Sequence, residues 1–593
     1  MSEFKTATIL PELTNDNIAT VMADRIAAAK TEKTVVPMLW QGLLELKVPV
    51  DGVVRSAKYY IPKDTPQGAT MVILNIPEGE ETVSFLEKSG WIARADADGF
   101  CLFVLEPGQN GWGSPAQEEN YVFSAVKAEC MGQYILASFA AYAVGYGPIG
   151  VCLHKAVMAD PLHIAAAAFL DAGSVDTQYH SVYQEKCYVV EDRFNPAEPG
   201  ICVPYRDIPL PVWIASESMD GQTQAMAAYW RTANHVGCPV EDADFGLLYR
   251  QCRPTQYTPE GKILQVAVQK QKYDYCAPET TEKILRFVSQ YYRYGMGPAS
   301  HMVSKKINYA ELGVEHRRFT DSNGIDREYL VYVPEAYRNS GKKLPMVLAY
   351  HGASQSMRNM MENGLWYHIA DEEGLVIVYP ESTLQPLPSE LSGGMTAAYR
   401  PLWALFAEDG AKTDLTYANE LLDRVISEFP VDTSRIYCTG HSMGCMMTNF
   451  LGSSTVSHRL AAVGATSGCL RARDDSGTQM VPAFMTAGQF ELWNYRIDGN
   501  NEITDQLDMW LIRNGLADKA NVRQVRTSGA SQIYKEGNYN NYLWCDQNGT
   551  ALVRYAWISE KHHVHTAQES RVFWNQWFRH WKIGPKGVRQ YTP

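Results

Sequence analysis

The chain has 593 residues, of which 46% are hydrophobic and 20% charged. It is too long for one hydrophobic core and has the composition of an ordinary soluble globular protein, so two or more domains are expected. A net charge of −13 argues against nucleic acid or an anionic membrane surface as the main partner.

In the first segment, MSEFKTATILPELTNDNIATVMADRIAAAK, the acids Glu3, Glu12, Asp16 and Asp24 interrupt the apolar run that a secretory signal would need. As written, this predicts a cytoplasmic protein, or a secreted or periplasmic one if a signal has been removed. Ile18, Val21, Met22 and Ile26 fall at helical spacing and predict a short amphipathic helix. Met131 to Leu153 carries no charge and is long enough to cross a bilayer. Gly145, Gly147, Pro148 and Gly150 break that run, so it is expected to form a buried helix, a turn and a buried strand rather than a membrane span. The turn, GYGPIG, spells Gly-x-Gly-x-x-Gly, but with a helix expected before it no dinucleotide site is predicted. Twelve cysteines show no Cys-x-x-Cys pair; they are expected to be mostly small buried hydrophobes in a reducing compartment.

The chain also repeats itself. WIARADADGFCLFVLE (91–106) aligns without a gap on WYHIADEEGLVIVYPE (366–381), and MVILNIPEG (71–79) on MVLAYHGAS (346–354). Each copy reads as strand, helix, strand, the alternation of a parallel sheet with covering helices. The second copy continues through a helix (415–428) and a strand (435–439) into CTGHSMGCMM, which holds Gly-x-Ser-x-Gly centred on Ser442. In the first copy His154 falls on His441 and Lys155 on Ser442. Two tandem domains are expected, residues 1–300 and 301–593, with a nucleophile elbow in the second alone.

A serine between a buried strand and a helix, flanked by glycines, sits on a sharp turn that exposes its hydroxyl. Ser442 is therefore the candidate nucleophile. Its oxyanion donors are expected to be the backbone N–H groups of Met443, at the helix start, and Ala353, in the turn after MVLAY.

YLVYVPEAY, LPMVLAYHGAS, IADEEGLVIVYPE, VDTSRIYCTGHSMG and LAAVGATSG, in that order, resemble the esterase family that includes poly(3-hydroxybutyrate) depolymerases and feruloyl esterases, within the α/β-hydrolase superfamily. The resemblance covers roughly residues 315–582 and reaches the first half through the repeat. It implies two tandem α/β-hydrolase-like domains, each a mostly parallel sheet covered by helices on both faces, and a chain order of serine, acid, histidine. Where the family has Gly-x-x-Asp, this chain has Gly488-Gln489-Phe490-Glu491, which puts the acid at Glu491, with Asp498 in the same loop as the alternative. The base falls on His563 in SEKHHVHTAQES. His562 and His565 are expected in a surface loop, and a metal site is not expected because no zinc signature accompanies them.

His351, Trp403, Trp493, Tyr495 and Trp544 are candidates to contact substrate, and the loop 382–410 to border it. In the first half Tyr273 stands for His563 and Asp220 falls near Glu491, so that half is expected to be degenerate and non-catalytic. The implied activity is that of a serine carboxylic-ester hydrolase acting on small, oligomeric or polymeric esters, aryl (feruloyl-type) or hydroxyalkanoate, without metal or cofactor. A homo-oligomer stays open, as do two other functions: a serine peptidase of the same fold, or a binding protein with a vestigial triad.

Overall fold

A computed structural model describes residues 41–593 except 64, 66–68, 131–140, 174, 176, 198–199, 254–257, 259–262, 295–296, 298–301, 339, 387–398, 406–409, 473–476 and 500–501, together with Thr20, Asp24, Ala27 and Ala28. The helix expected over Ile18–Ile26 falls largely outside the described residues. The chain divides into two compact units: Met1–Val190 with Ile201–Lys306, and Ile307–Pro593 with Glu191–Gly200.

The first unit contains β1 (Gly42–Val50), β2 (Val53–Ile61), β3 (Met71–Asn75), β4 (Cys101–Leu105), β5 (Ala141–Tyr146), β6 (Ile164–Leu170), β7 (Cys187–Val190), β8 (Ile201–Pro204), β9 (Val212–Ser216), β10 (Val236–Asp242), β11 (Gly246–Gln251) and β12 (Gln265–Lys270). A small hairpin, β13 (Tyr291–Tyr294) with β14 (Met302–Lys305), follows. The runs MVILN, CLFVL, AYAVGY and IAAAAFL are buried at every position, as parallel strands covered on both faces must be. Ten strands form one sheet in the order β1-β2-β4-β3-β5-β6-β9-β12-β11-β10, parallel from β4 through β12. Its edge hairpin β1–β2 turns on Asp51-Gly52, both at positive φ, the two-residue geometry that matches strand twist.

The second unit contains β15 (Glu315–Thr320), β16 (Asp326–Tyr332), β17 (Leu344–Tyr350), β18 (Val376–Pro380), β19 (Thr383–Pro386), β20 (Tyr399–Leu402), β21 (Val431–Gly440), β22 (Ala462–Thr466), β23 (Ala483–Phe490), β24 (Gln532–Glu536), β25 (Tyr539–Cys545) and β26 (Ala551–His562). Its 10-stranded sheet runs β15-β16-β18-β17-β21-β22-β23-β26-β25-β24. Position by position this is the order of the first sheet. Both units are thus α/β-hydrolase-like sheets, and the repeat extends to topology. The paired tryptophans Trp91 and Trp366 are both buried and open equivalent helices, α1 (Trp91–Asp98) and, later in the chain, Trp366–Glu373. Each of these helices ends on a glycine in the left-handed region, Gly99 and Gly374.

Further helices that bear on the argument are α2 (Pro115–Cys130), α3 (Gly150–Ala159), α4 (Gly221–Ala233), α5 (Trp366–Glu373), α6 (Gly410–Glu428), α7 (Met443–Ser453) and α8 (Ala567–Gln576). Among the described residues no helix is long and apolar enough to cross a membrane.

Three expectations are corrected. The segment after residue 140 runs strand, turn, helix (β5, Gly147, α3), the reverse of the order read from the sequence. GYGPIG therefore does follow a strand and open a helix, but packing accounts for its outer glycines: a Cβ on Gly145 would meet the Phe169 ring at 2.8 Å, and one on Gly150 would meet Ala172 at 2.5 Å. Gly147, at φ +59, occupies the turn that Ser442, at φ +54, occupies in the second unit. Lys155 consequently lies inside α3 rather than at an elbow, paired with Glu119 at 2.5 Å, so it is not the counterpart of Ser442. Four cysteines are also not buried hydrophobes but pair as Cys187–Cys202, across β7 and β8, and Cys238–Cys252, beside β10 and β11.

Candidate active site

Ser442 stands between β21 and α7 with φ +54 and ψ −114, a backbone conformation that costs an L-residue energy. Its neighbours impose it. A Cβ on Gly440 would strike the Gly444 carbonyl, and one on Gly444 would strike the Tyr350 carbonyl, so strand and helix meet only because both positions are glycine. The elbow hangs between flanking strand ends: Ser442 N–H donates to Thr466 O (2.9 Å) and His441 N–H to Tyr350 O (3.2 Å).

The structure brings Ser442, His563 and Glu491 together. His563 Nε2 lies 2.9 Å from Ser442 Oγ, and its Nδ1 lies 2.6 Å from Glu491 Oε2. A tight turn after β26, closed by Val564 N–H to His562 O (2.9 Å), projects His563 toward the serine. Burial, the largest influence, pushes the Glu491 carboxyl up, but His563, Lys561 and the Ser467 hydroxyl outweigh it and hold it at about 2. A carboxylate kept ionised beside Nδ1 fixes the tautomer in which Nε2 accepts the serine proton. Asp498 is exposed and is not brought to His563.

Met443 N–H, at the start of α7, and Ala353 N–H, after β17, donate to no described residue. The Ala353 turn is held from below. Gly352 N–H donates to Gln355 Oε1 (2.9 Å), Ser354 N–H to Pro401 O (3.0 Å) with Ser354 at φ +59, and Trp403 Nε1–H to His351 O (2.8 Å).

Several predicted substrate contacts are corrected. His351 is fully buried, with Nδ1 2.8 Å from Gly352 O and Nε2 2.9 Å from Glu381 Oε1, so it braces the turn instead of facing substrate. Trp403 is buried against Tyr350 and His351. Tyr495 is buried with its hydroxyl donating to Ser467 O (2.7 Å), and Trp544 is buried with Nε1–H donating to Val525 O (2.8 Å). Trp493 alone of the four aromatics remains at the surface, 41% exposed, its ring edge-on to His563 at 5.6 Å. Of the loop 382–410, residues 387–398 and 406–409 lie outside the described residues.

His562 and His565 are not in a surface loop. His562 packs on Phe490 at 5.2 Å, and His565 Nε2 lies 2.8 Å from Ser570 Oγ. Burial pushes both imidazoles down to about 4, which leaves them neutral. Residues not singled out from the sequence also belong here: Ser467 (φ +60), Lys561 and Glu569, all buried beneath Glu491. Lys561 and His563 are two apart at the end of a strand and so can share a face, a signal that could have drawn attention to the lysine.

In the first unit the equivalent positions are otherwise employed. Asn75 occupies the end of β3, its amide bonded twice to the Tyr146 backbone (2.9 Å each). Asp220 caps α4 by accepting from Thr223 N–H (2.8 Å), and Tyr273 donates its hydroxyl proton to Gln269 Oε1 (2.7 Å).

No family model matches the chain. It is 30% identical over 145 residues to a bifunctional acetylxylan esterase/xylanase of Neocallimastix patriciarum, covering 24% of this chain and 18% of that protein. It is 26% identical over 138 residues to feruloyl esterase B of Talaromyces stipitatus, covering 23% of this chain and 34% of that one. The chain thus spans well under half the length of these curated relatives. Among solved structures, an acetyl xylan esterase from Aspergillus awamori matches at a TM-score of 0.31 and 14% identity, over 45% of this chain and 99% of that one.

Proposed function

We propose that the protein is a serine carboxylic-ester hydrolase whose second unit alone is catalytic. The observation that carries this reading is the continuous hydrogen-bonded line from Ser442 Oγ through His563 to Glu491, at 2.9 and 2.6 Å, together with the Met443 and Ala353 backbone N–H groups, which donate to no described residue. His563 Nε2 takes the Ser442 proton as Oγ attacks the ester carbonyl, and Glu491 stabilises the imidazolium. The carbonyl oxygen becomes an oxyanion that accepts from the Met443 and Ala353 N–H groups. Collapse expels the alcohol, which takes its proton from His563; water, activated by the same imidazole, then releases the acid. No step calls on a metal or cofactor.

The relatives' names support acetyl or feruloyl esters, and Trp493 at the rim offers a flat apolar surface to an aryl acyl group or a sugar ring. A hydroxyalkanoate ester is the competing substrate. In the first unit a glycine at the elbow, Pro77 in the turn after β3 and Tyr273 for the base support a non-catalytic copy. Its two disulfides support an oxidising compartment, hence export.

The test is labelling with a fluorophosphonate followed by peptide mapping, then hydrolysis of a panel of acetylated xylan, methyl ferulate, a 3-hydroxybutyrate oligomer and a peptide amide. An adduct on Ser442 with preferential release of acetate or ferulate is expected. An unlabelled protein would sink the reading, and turnover of the peptide alone would replace it with a peptidase.

A further inference from the structure

Beneath Glu491 lies a charged side chain that the proposed chemistry does not use. Lys561, 4% exposed, places Nζ 3.1 Å from Thr466 Oγ1, 3.1 Å from Ser467 Oγ, 3.8 Å from Glu491 Oε1 and 3.5 Å from Glu569 Oε1. An ammonium has donors only, so both hydroxyl oxygens accept from it. Ser467, with its acceptor side taken, directs its own proton to Glu491 Oε1 at 2.6 Å. Gly488 N–H gives the same oxygen a second bond at 2.9 Å, which leaves Oε2 for His563.

Glu569 is fixed in turn. Its Oε1 accepts from Thr486 Oγ1–H (2.7 Å) and its Oε2 from Thr566 N–H (3.0 Å), in the capping box that opens α8. The backbone is bent to present the lysine. Between Ile558 and His562 β26 bulges away from β23, and Glu560 in that bulge adopts φ +64. Gly488 lets the strands touch there, since a Cβ would strike the Lys561 carbonyl. Left-handed backbone in a side-chain-bearing residue is costly and persists where the surroundings demand it.

We propose that Lys561, anchored by Glu569, is a positioning residue for the acid of this site: through Ser467 it fixes the Glu491 carboxylate, and the Lys561–Glu569 charge pair sets the field in which His563 takes up its proton. This rests on the catalytic reading of Ser442, His563 and Glu491. A glutamate has one more torsion to immobilise than an aspartate, so it requires more support to hold one oxygen on an imidazole.

The described titratable groups that face His563 come from several elements. Glu491 follows β23, Lys561 and His562 lie on β26, His441 precedes α7 with its ring 4.8 Å away, and His565 and Glu569 lie at the start of α8. Burial holds His441, His562 and His565 neutral. The charges left to act on the imidazole are those of Glu491, Lys561 and Glu569.

The test uses the full chain carrying Lys561→Gln, Lys561→Arg or Glu569→Gln, with rates normalised to active sites titrated by a fluorophosphonate. Lys561→Gln removes a positive charge, so the imidazolium is favoured and the acid limb of the kcat–pH profile moves to higher pH. Glu569→Gln removes a negative charge and moves it to lower pH, while Lys561→Arg leaves it in place. Lys561→Gln is also expected to lower kcat about ten-fold with KM within about two-fold, the range of general acid–base contributions being wider. A purely structural role would lower the active-site titre without opposed movements of the limb. If the parent enzyme is labelled at Ser442 but both Gln variants keep its kcat and limb, this inference fails and the ester-hydrolase reading stands. If the parent is not labelled, both fail.

Discussion

Glu491 and Asp498 sit seven residues apart in one loop, and only Glu491 touches the imidazole. Glu491→Gln is expected to lower kcat about a thousand-fold or more, because an amide lets the imidazole adopt the tautomer that cannot accept from serine. Asp498→Asn, on an exposed side chain, is expected to leave kcat near the parent value. Steady-state hydrolysis of an aryl acetate by both variants decides the matter, and a reversed order would move the acid to Asp498. At this scale the residues that the structure brings together were legible where a residue type is tied to a motif: Ser442 by its glycines, and Glu491 and His563 only through the resemblance to an esterase family. The aromatics were not. Nothing in the letters Trp403, Tyr495 and Trp544 distinguishes a ring that walls a pocket from one that is buried with its polar atom bonded inward. For Lys561 the sequence offered only its spacing of two from His563, since a bulge and a left-handed Glu560 decide where it points.

The elbow is an element-scale device, and Gly444 is where α7 comes up against the backbone at the end of β17. Gly444→Ala would drive a methyl into the Tyr350 carbonyl, which is backbone and cannot swing aside. It is expected to destabilise the second unit by about 2 kcal/mol or more and to lower kcat by displacing the Met443 amide, as read by chemical denaturation and kinetics together. Gly549→Ala, where a Cβ meets nothing within 4 Å but the backbone sits at φ +79, is the comparison: it should cost stability and spare kcat.

On α2 the concern is charge. Glu129 is buried, neither carboxyl oxygen has a hydrogen-bond partner among the described residues, and burial pushes its carboxyl up to about 8. An unfolded chain releases that proton near about 4.3. Between those values the unfolded state binds fewer protons, so the group costs stability progressively as pH rises through the window. Glu129→Gln is therefore expected to raise the melting temperature of the first unit at pH 8.5 and to leave it almost unchanged at pH 4. An equal shift at both values would show that packing, not ionisation, is responsible. Elements were legible where the two copies kept their spacing, as at Trp91 and Trp366. They were lost at the first elbow, where a glycine, Gly147, stands in the turn that Ser442 occupies and no nucleophile marks the position: His154-Lys155 was matched to His441-Ser442, although Lys155 lies beyond the turn and inside α3.

At the scale of the whole molecule, one sheet order occurs twice, and each sheet has its own apolar core: residues between Val48 and Val303 in the first unit, and between Tyr329 and Trp581 in the second. Parallel strands buried on both faces are cooperative units, since none can leave without exposing both layers. Calorimetry of the full chain is therefore expected to show two transitions. A phosphonate adduct on Ser442 places oxygens where only the folded second unit offers the Met443 and Ala353 N–H groups, so it stabilises that unit's native state and not its unfolded one. The adduct should raise one transition and leave the other in place, and Ser442→Ala, which cannot form it, should show no shift. The unmoved transition should be the one that Glu129→Gln raises at pH 8.5, which assigns it to the first unit without cutting the chain. A single transition that moves as a whole with either perturbation would mean that the two sheets unfold together. The first unit would then contribute to the proposed hydrolase by stabilising the second, although it carries none of the reacting groups.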